Sequence, residues 1–170
     1  MRAMVLSATG SLDHNPAPLK IANTSRPEAG YGEILIEVAV CGVCHTELDE
    51  IEGRTKPPRL PVIPGHEIVG RVVALGVGSK RHDIGDRVGV GWIYSSTGGI
   101  NENLSDDFRA TGRDANGGYA EFVVVPEKYA YPIPAVFSDA EAAPLLCAGG
   151  VGYRSLKLTG LQDGEVLGLT

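Results

Sequence analysis

Two cysteines and one histidine, far apart in the sequence, most constrain how this chain can fold. Cys44 lies in the stretch Cys41-Gly-Val-Cys-His-Thr-Glu47, His66 lies in Gly65-His-Glu67, and Cys147 lies much further along the chain. Two thiolates and one imidazole supply three ligands of a tetrahedral zinc ion and leave the fourth position open. An open position is typical of catalytic zinc, since four protein ligands usually close a structural site. The sequence therefore predicts a fold that brings these three side chains together.

Short apolar runs between Gly and Pro turns predict a mainly β structure with short helices. The chain has 23 Gly and 11 Pro among its 170 residues, which indicates many turns. The run Glu33–Val40 is apolar, rich in β-branched residues and bounded by Gly, as expected of a buried strand that ends at Cys41. The other predicted strands cover residues 3–8, 68–75, 87–91 and 119–125. Together they indicate a small β-barrel or sandwich over residues 1–135.

Helix signals are confined to three places. We predict a helix over residues 46–52, with Thr46 as N-cap and Gly53 as its end. Ser138-Asp-Ala-Glu141 has the form of a capping box and opens a helical stretch, and a second helix is expected over residues 150–158. Residues 165–170 begin as a further strand that has no partner after it, which indicates truncation at a domain boundary.

Charge and cysteine usage exclude several classes of protein. The formal net charge is −6 and no basic run is present, which argues against nucleic acid as a partner. No apolar run approaches the ~18 residues of a membrane span. Three widely spaced cysteines and an N-terminus without a signal-like apolar region favour the reducing cytoplasm.

Five motifs, in their order and spacing, resemble those of the zinc-dependent medium-chain alcohol dehydrogenases. They are Cys-Gly-Val-Cys-His-Thr-Glu from residue 41, Pro-Gly-His-Glu from residue 64, Gly-Asp-Arg-Val from residue 85, Gly-Gly-Tyr-Ala-Glu-Phe from residue 117, and Ala-Ala-Pro-Leu-Leu-Cys-Ala-Gly from residue 142. The resemblance implies a GroES-like β-barrel catalytic domain over residues 1–137 and a helical connection over residues 138–160. Residues 161–170 would then begin a Rossmann domain, truncated before its Gly-rich dinucleotide fingerprint.

The resemblance also implies which residues surround the metal. Cys44, His66 and Cys147 match the catalytic zinc ligands of the family. Glu67 matches a carboxylate that lies beside the zinc or binds it transiently. Glu47 stands where many members have an Asp that orients the zinc-bound imidazole.

Four further positions carry implied roles in proton and hydride transfer. Thr46 matches the hydroxyl that exchanges a proton with the substrate oxygen, and His45 matches a residue near the cofactor pyrophosphate. Asp49 stands where many members have a proton-relaying His, and Val151 where many have a Thr beside the nicotinamide. The implied reaction interconverts an alcohol and an aldehyde or ketone by zinc-assisted hydride transfer to NAD or NADP. We expect this in a longer homo-oligomeric protein, dimer or tetramer, and expect the 170-residue chain alone to be inactive.

One departure from the family concerns a second metal. Many members carry four cysteines that bind a structural zinc, and the matching positions here are Thr97, Ile100, Asn103 and Thr111. None of these side chains replaces a thiolate. We therefore predict one catalytic zinc, no structural zinc, and a lobe over residues 95–116 that is either held by packing or mobile.

Plainer interpretations remain open at this stage. Cys41 and Cys44 form a C-x-x-C that could be a redox dithiol, although Cys41 alone is better explained as a buried residue at a strand end. The acidic residues Glu47, Asp49, Glu50 and Glu52 could form a solvated helix face, and His14 and His82 lie in turn-like sequence typical of a surface. Two alternative functions keep the fold: a metal-free quinone-reductase-like oxidoreductase, and a GroES-like module without enzymatic activity.

Overall fold

The computed structural model describes residues 1–168 of the 170-residue chain. Strands dominate it, and the helices are few and short. The strands are β1 (Arg2–Leu6), β2 (Leu19–Asn23), β3 (Glu33–Gly42), β4 (Glu67–Leu75), β5 (Arg87–Val90), β6 (Ile93–Ser95), β7 (Arg109–Ala110), β8 (Phe122–Pro126) and β9 (Ala130–Pro132). The α-helices are α1 (His45–Glu52), α2 (Asp139–Ala142) and α3 (Ala148–Thr159), with 3₁₀ turns at Glu102–Leu104, Glu127–Tyr129 and Ala143–Leu146.

A five-stranded antiparallel sheet in the order β8-β3-β4-β5-β9 forms the centre of the molecule. Inward-facing residues alternate along its strands, as the period of two requires. All five strands contribute to one buried cluster, made of Ile34, Ile36, Ile68, Val72, Val88, Val90, Val123, Val125 and Ala130. Each such Val or Ile contributes about 1.5–3 kcal/mol of transfer free energy on burial. Within residues 1–168, β8 and β9 are the edges of an open sheet, so closure into a barrel is not observed.

A second, smaller cluster fixes helix α1 against the sheet system. Leu6 at the end of β1 exchanges two backbone hydrogen bonds with Val62, at 2.9 and 3.0 Å. Leu6 and Val62 pack with Ile51 of α1, and all three side chains are buried. The Pro-rich segment that contains Val62 forms no helix or strand, as its prolines predict, and it bends over residues 58–61. This packing anchors the C-terminal part of α1, and its N-terminus follows the end of β3 after two residues.

Most predicted elements are found, with shifted ends. Gly53 ends α1 in the left-handed conformation at φ 84°, and Ser138 forms the predicted capping box with Glu141. The assignment of Thr46 as N-cap is wrong, because Cys44 occupies that position and its amide donates to Oε2 of Glu47 at 2.7 Å. The strand predicted over residues 165–170 is not found at residues 165–168, and residues 169–170 lie outside the described part.

His82 corrects a second expectation. It is only 4% exposed, whereas His14 lies at the surface as predicted. The turn that carries His82 packs against the segment after β8, where Nε2 of His82 lies 3.1 Å from the carbonyl oxygen of Glu127. The amides of Lys80 and Arg81 both donate to Oε2 of Glu127 at 2.8 Å, which holds the turn down over the imidazole. None of the helices in the described residues has the length and apolar character needed to cross a membrane.

Candidate metal centre

The end of strand β3 and the start of helix α1 place Cys44. Gly42, the last residue of β3, pairs with Glu67 at the start of β4. A Cβ atom on Gly42 would collide with Oε2 of Glu67, so a larger residue there would displace this carboxylate. The chain then turns at Cys44 into α1. This arrangement brings the Cys44 thiol and the Glu67 carboxylate to the same end of the sheet.

His66 is held by a glycine before it and a carboxylate beside it. Gly65 has φ 100°, and a Cβ atom there would lie 2.6 Å from the Tyr119 ring and 2.8 Å from Sγ of Cys41. The His66 side chain is 1% exposed, and its Nδ1 lies 2.6 Å from Oε1 of Glu47. Because Nδ1 faces Glu47, Nε2 faces the interior of the site. It lies 3.3 Å from Sγ of Cys147.

Cys147 follows the 3₁₀ turn that links α2 to α3. Ala142 and Ala143 are buried against Val69 of β4 and anchor this connection to the sheet. Gly91, directly after β5, allows the close approach, because a Cβ atom there would lie 2.7 Å from the carbonyl oxygen of Leu146. The small residues at these positions let the connection lie flat on the sheet and deliver the third candidate ligand.

The ligand atoms lie at separations suited to zinc. Sγ of Cys44 and Sγ of Cys147 are 3.7 Å apart. Together with a nitrogen of His66 and a carboxylate oxygen of Glu67, they lie within 4.8 Å of one another. Tetrahedral zinc with Zn–S of about 2.3 Å and Zn–N of about 2.0 Å separates two sulfurs by about 3.8 Å, and sulfur from nitrogen by about 3.5 Å. Cys44, His66 and Cys147 therefore fit a zinc ion, and Glu67 is close enough to reach it.

The thiols of this cluster differ in acidity. Burial opposes ionisation of Cys44, but hydrogen bonding to Thr46 and Cys147 and the nearby His66 lower its pKa. Burial raises the pKa of Cys147 to about 12, and the neighbouring Cys44 adds to this effect. Burial opposes the charged form of His66, yet the Glu47 carboxylate raises its pKa. Several acidic groups thus crowd around one imidazole, and a divalent cation would offset their buried negative charge.

A cleft of about 690 Å³ opens beside the cluster. His66 and Cys147 line it, and so does Thr46, whose Oγ1 lies 3.4 Å from Sγ of Cys44. Val151 of α3 lines the same cleft and is 64% exposed. A hydroxyl and candidate metal ligands therefore face one cavity in which a small molecule can contact both.

Two of the predicted site residues belong neither to the metal cluster nor to the lining of this cleft. In the described part of the chain, its lining does not include His45 or Asp49. The His45 side chain is 78% exposed, and its Nε2 lies 3.9 Å from Oδ1 of Asp49. Asp49 also pairs with Arg54, whose Nε donates to Oδ1 at 2.6 Å. The roles assigned to these two residues stay predictions.

The acidic residues of α1 do not all face solvent. Glu47 and Glu50 are 2% and 1% exposed, so a solvated acidic face is the wrong interpretation for both. Burial, followed by the charge of Glu47, raises the pKa of Glu50 to about 7. Sequence reasoning missed Glu50 as part of the site's surroundings. Its signal was the i, i+3 spacing from Glu47, since residues at that spacing share one helix face.

The fold and the cluster define a class: a mainly β domain with a candidate Cys-His-Cys metal set beside a cleft. The family of the alcohol dehydrogenase GroES-like domain matches residues 30–135, which is more than half of the chain. The chain belongs to this family.

Relatives and solved structures agree with that assignment. The chain is 44% identical to a probable alcohol dehydrogenase AdhA of Mycobacterium tuberculosis, over 99% of this chain and 51% of the relative. It is 40% identical to an alcohol dehydrogenase of Geobacillus stearothermophilus, over 87% of this chain and 46% of the relative.

Among solved structures, an NAD-dependent alcohol dehydrogenase superposes with a TM-score of 0.87 at 27% identity, covering 97% of this chain and 49% of that one. The enzyme CAD of Helicobacter pylori, solved with NADP(H), superposes with a TM-score of 0.79 at 30% identity, covering 96% and 51%. The chain thus spans about half the length of the relatives it matches.

Proposed function

We propose that this chain is the catalytic half of a zinc-dependent alcohol dehydrogenase that interconverts alcohols and aldehydes or ketones with NAD or NADP. The single observation that carries the proposal is the convergence of Cys44, His66 and Cys147 at zinc-ligand separations beside an open cleft. Family membership supports it, as does the cofactor named for two structural relatives. The substrate is a small-molecule alcohol or aldehyde.

The domain division belongs to the same proposal. Residues 1–137 form the GroES-like barrel, residues 138–160 the connection that carries Cys147, and residues 161–170 the start of a cofactor-binding Rossmann domain. Helix α3 supports this division, because none of its residues is buried and Val151, Tyr153 and Leu158 are 64%, 65% and 76% exposed. Apolar side chains at such exposure suit a helix face that a further domain covers.

Zinc held by Cys44, His66 and Cys147, with Glu67 within reach, would supply a Lewis acid that polarises the substrate oxygen and stabilises its negative charge. Glu47 orients His66 by holding Nδ1, so that Nε2 is directed at the metal position. Thr46 presents its hydroxyl to the same cleft and exchanges a proton with the substrate hydroxyl.

Proton release and cofactor binding are assigned to residues outside the metal cluster. Asp49, beside the exposed His45, is the proposed carboxylate through which the proton passes to solvent. His45 also offers a cation for the cofactor pyrophosphate, and Val151 packs against the nicotinamide. Exposure of His45 and the position of Val151 in the cleft lining support these roles.

The two alternatives fit less well. Two thiols, an imidazole and a carboxylate cluster within 4.8 Å of one another. In a metal-free quinone-reductase-like enzyme this cluster would have no function. A non-enzymatic GroES-like module gives no reason for a cleft of about 690 Å³ beside that cluster. A dimeric or tetrameric parent, a cytoplasmic location and the absence of nucleic-acid and membrane partners stay predictions.

The test uses a longer protein that contains this chain and its cofactor-binding half. Wild type should oxidise primary alcohols with NAD or NADP. Thr46→Val should lower kcat by about 100-fold or more, because it removes a proton-transfer group, whereas Thr46→Ser should retain most of the activity. Zinc content should be equal in all three. Failure of wild type to oxidise or reduce any alcohol or aldehyde would overturn the proposal.

A further inference from the structure

The lobe over residues 95–116 reaches the catalytic cleft. Its residues form one side of the cavity that Thr46, His66 and Cys147 line from the other side. The lobe residues in this lining are Gly99, Ile100, Glu102 and Asn103. Two of them, Ile100 and Asn103, occupy positions at which many family members have cysteines for a structural zinc. In this chain those positions therefore carry side chains that are free to contact a substrate.

A buried tyrosine holds the lobe in place. Tyr129 is 3% exposed, and its hydroxyl lies 3.0 Å from Oε2 of Glu102 and 2.9 Å from the carbonyl oxygen of Ser96. The same hydroxyl accepts a hydrogen bond from the amide of Ser96 at 2.8 Å. The Glu102 carboxylate also accepts from the amide of Gly98 at 3.0 Å. A metal is thus not required to fix the turn that carries Ile100.

The base of the lobe is fixed independently. Strand β7 pairs with β6, and the amide of Thr111 donates to the carbonyl oxygen of Trp92 at 2.9 Å. The ring of Phe108 packs on Trp92 with 4.7 Å between centroids. Trp92 also lines the cleft, so this aromatic pair couples the lobe to the cavity. The lobe was expected to be either held by packing or mobile, and its contacts include both the packing of Phe108 on Trp92 and the hydrogen bonds to Tyr129.

The lining favours an apolar ligand. Its apolar side chains are Trp92, Ile93, Ile100, Leu146 and Val151. Ile100 is 84% exposed, which leaves nearly its whole side chain available for contact. A two-carbon alcohol would fill only a small part of a cavity of about 690 Å³. A longer apolar group, held near the metal at one end, would extend along Trp92 towards the lobe.

We propose that the lobe determines substrate specificity: Ile100 contacts the distal part of substrates that have extended apolar groups. Tyr129 positions Ile100 through its hydrogen bond to Glu102. This inference rests on the proposed function and deepens it. Leu104 provides a matched control, because it lies on the same lobe, is 78% exposed, and is absent from the cleft lining.

The first test needs no activity. Trp92 is the sole tryptophan of the chain, so its fluorescence reports on the cleft. Titration of the 170-residue chain with 1-octanol should give a saturable change. Ile100→Ala should raise the half-saturating concentration about fivefold, because a hydrophobic contact is lost, while Leu104→Ala should leave it unchanged. No saturable response in wild type, or equal concentrations for Ile100→Ala and wild type, would overturn the inference.

The second test separates this inference from the proposed function. In the longer protein, Ile100→Ala should raise KM about fivefold for 1-octanol and leave KM for ethanol unchanged. Tyr129→Phe should do the same at constant kcat, and the amides of residues 96–104 should exchange faster with solvent. A wild type inactive on every alcohol contradicts the proposed function. If wild type is active and both substitutions change KM for 1-octanol and for ethanol equally, the specificity role of the lobe is contradicted.

Discussion

Nδ1 of His66 lies 2.6 Å from Oε1 of Glu47, and the two side chains are 1% and 2% exposed. The contact decides which imidazole nitrogen is presented to Cys147, because the nitrogen that faces the Glu47 carboxylate is turned away from the cluster. A carboxylate behind a metal-binding imidazole also increases the basicity of the ligand nitrogen. Glu47 has one methylene more than an Asp, and it makes this contact.

Replacing Glu47 tests whether the contact serves the metal. Glu47→Gln preserves size but removes the charge behind His66, so zinc affinity should fall about 10- to 100-fold. The measurement is competition for zinc with a chelator of known affinity. Glu52→Gln is the matched control, because Glu52 lies on the same helix and pairs instead with Arg54 at the surface. Equal zinc affinities for both variants would contradict the role of Glu47.

The three thiols of metal-free protein should differ in their reaction with iodoacetamide. The thiolate is the reactive form. The pKa of Cys44 is lowered, whereas burial raises that of Cys41 to about 12 and burial with the adjacent Cys44 raises that of Cys147 to about 12. Near neutral pH, peptide mass spectrometry should find Cys44 modified first. Modification of Cys41 at the same rate as Cys44 would contradict the acidity difference.

Ionisation of Tyr94 should lower the free energy of unfolding at alkaline pH. Burial, the charge of Glu33 and a 3.1 Å hydrogen bond to its Oε1 raise the pKa of Tyr94 to about 12. An unfolded Tyr ionises near pH 10. The folded state therefore retains the proton between these values, and its stability is fully present below about pH 10 and is lost as pH rises towards 12.

Urea unfolding of wild type and Tyr94→Phe measures this contribution. Between about pH 9 and pH 11, wild type should lose more free energy of unfolding than the variant, because the variant has no hydroxyl to ionise. The difference between the two proteins removes the contributions of the other tyrosines. If the free energy of unfolding depends on pH in the same way in both proteins, ionisation of Tyr94 does not affect stability.

The strands and the ligand set were predictable from the sequence for a physical reason. Glu33–Val40 and Ile68–Leu75 combine β-branched residues with glycine boundaries, and the structure pairs them as β3 and β4. The order of motifs around Cys44, His66 and Cys147 gave the family. Each of these signals is contained in neighbouring residues or in the spacing of motifs along the chain. None of them requires knowledge of tertiary contacts.

Other features depend on tertiary contacts that leave weak traces in the sequence. Glu50 looks like a surface acid, but it is 1% exposed and lies near His66 and Arg113, which only the folded chain brings to α1. His82 lies in turn-like sequence, and only the segment around Glu127 covers it. Ile100 lines the cleft, and the hydrogen bond between Tyr129 and Glu102 that we propose positions it joins residues 27 apart in the chain.

The zinc content of the purified chain and of three cysteine variants tests whether Cys44, His66 and Cys147 hold a metal. Wild type should contain about one zinc per chain, as a catalytic site without a structural one requires. Cys44→Ser and Cys147→Ser should lose it, while Cys41→Ser should retain it, because Cys41 is predicted to pack against the core and not to bind metal. Unchanged zinc content in Cys44→Ser, or about two zinc ions in wild type, would contradict the central claim.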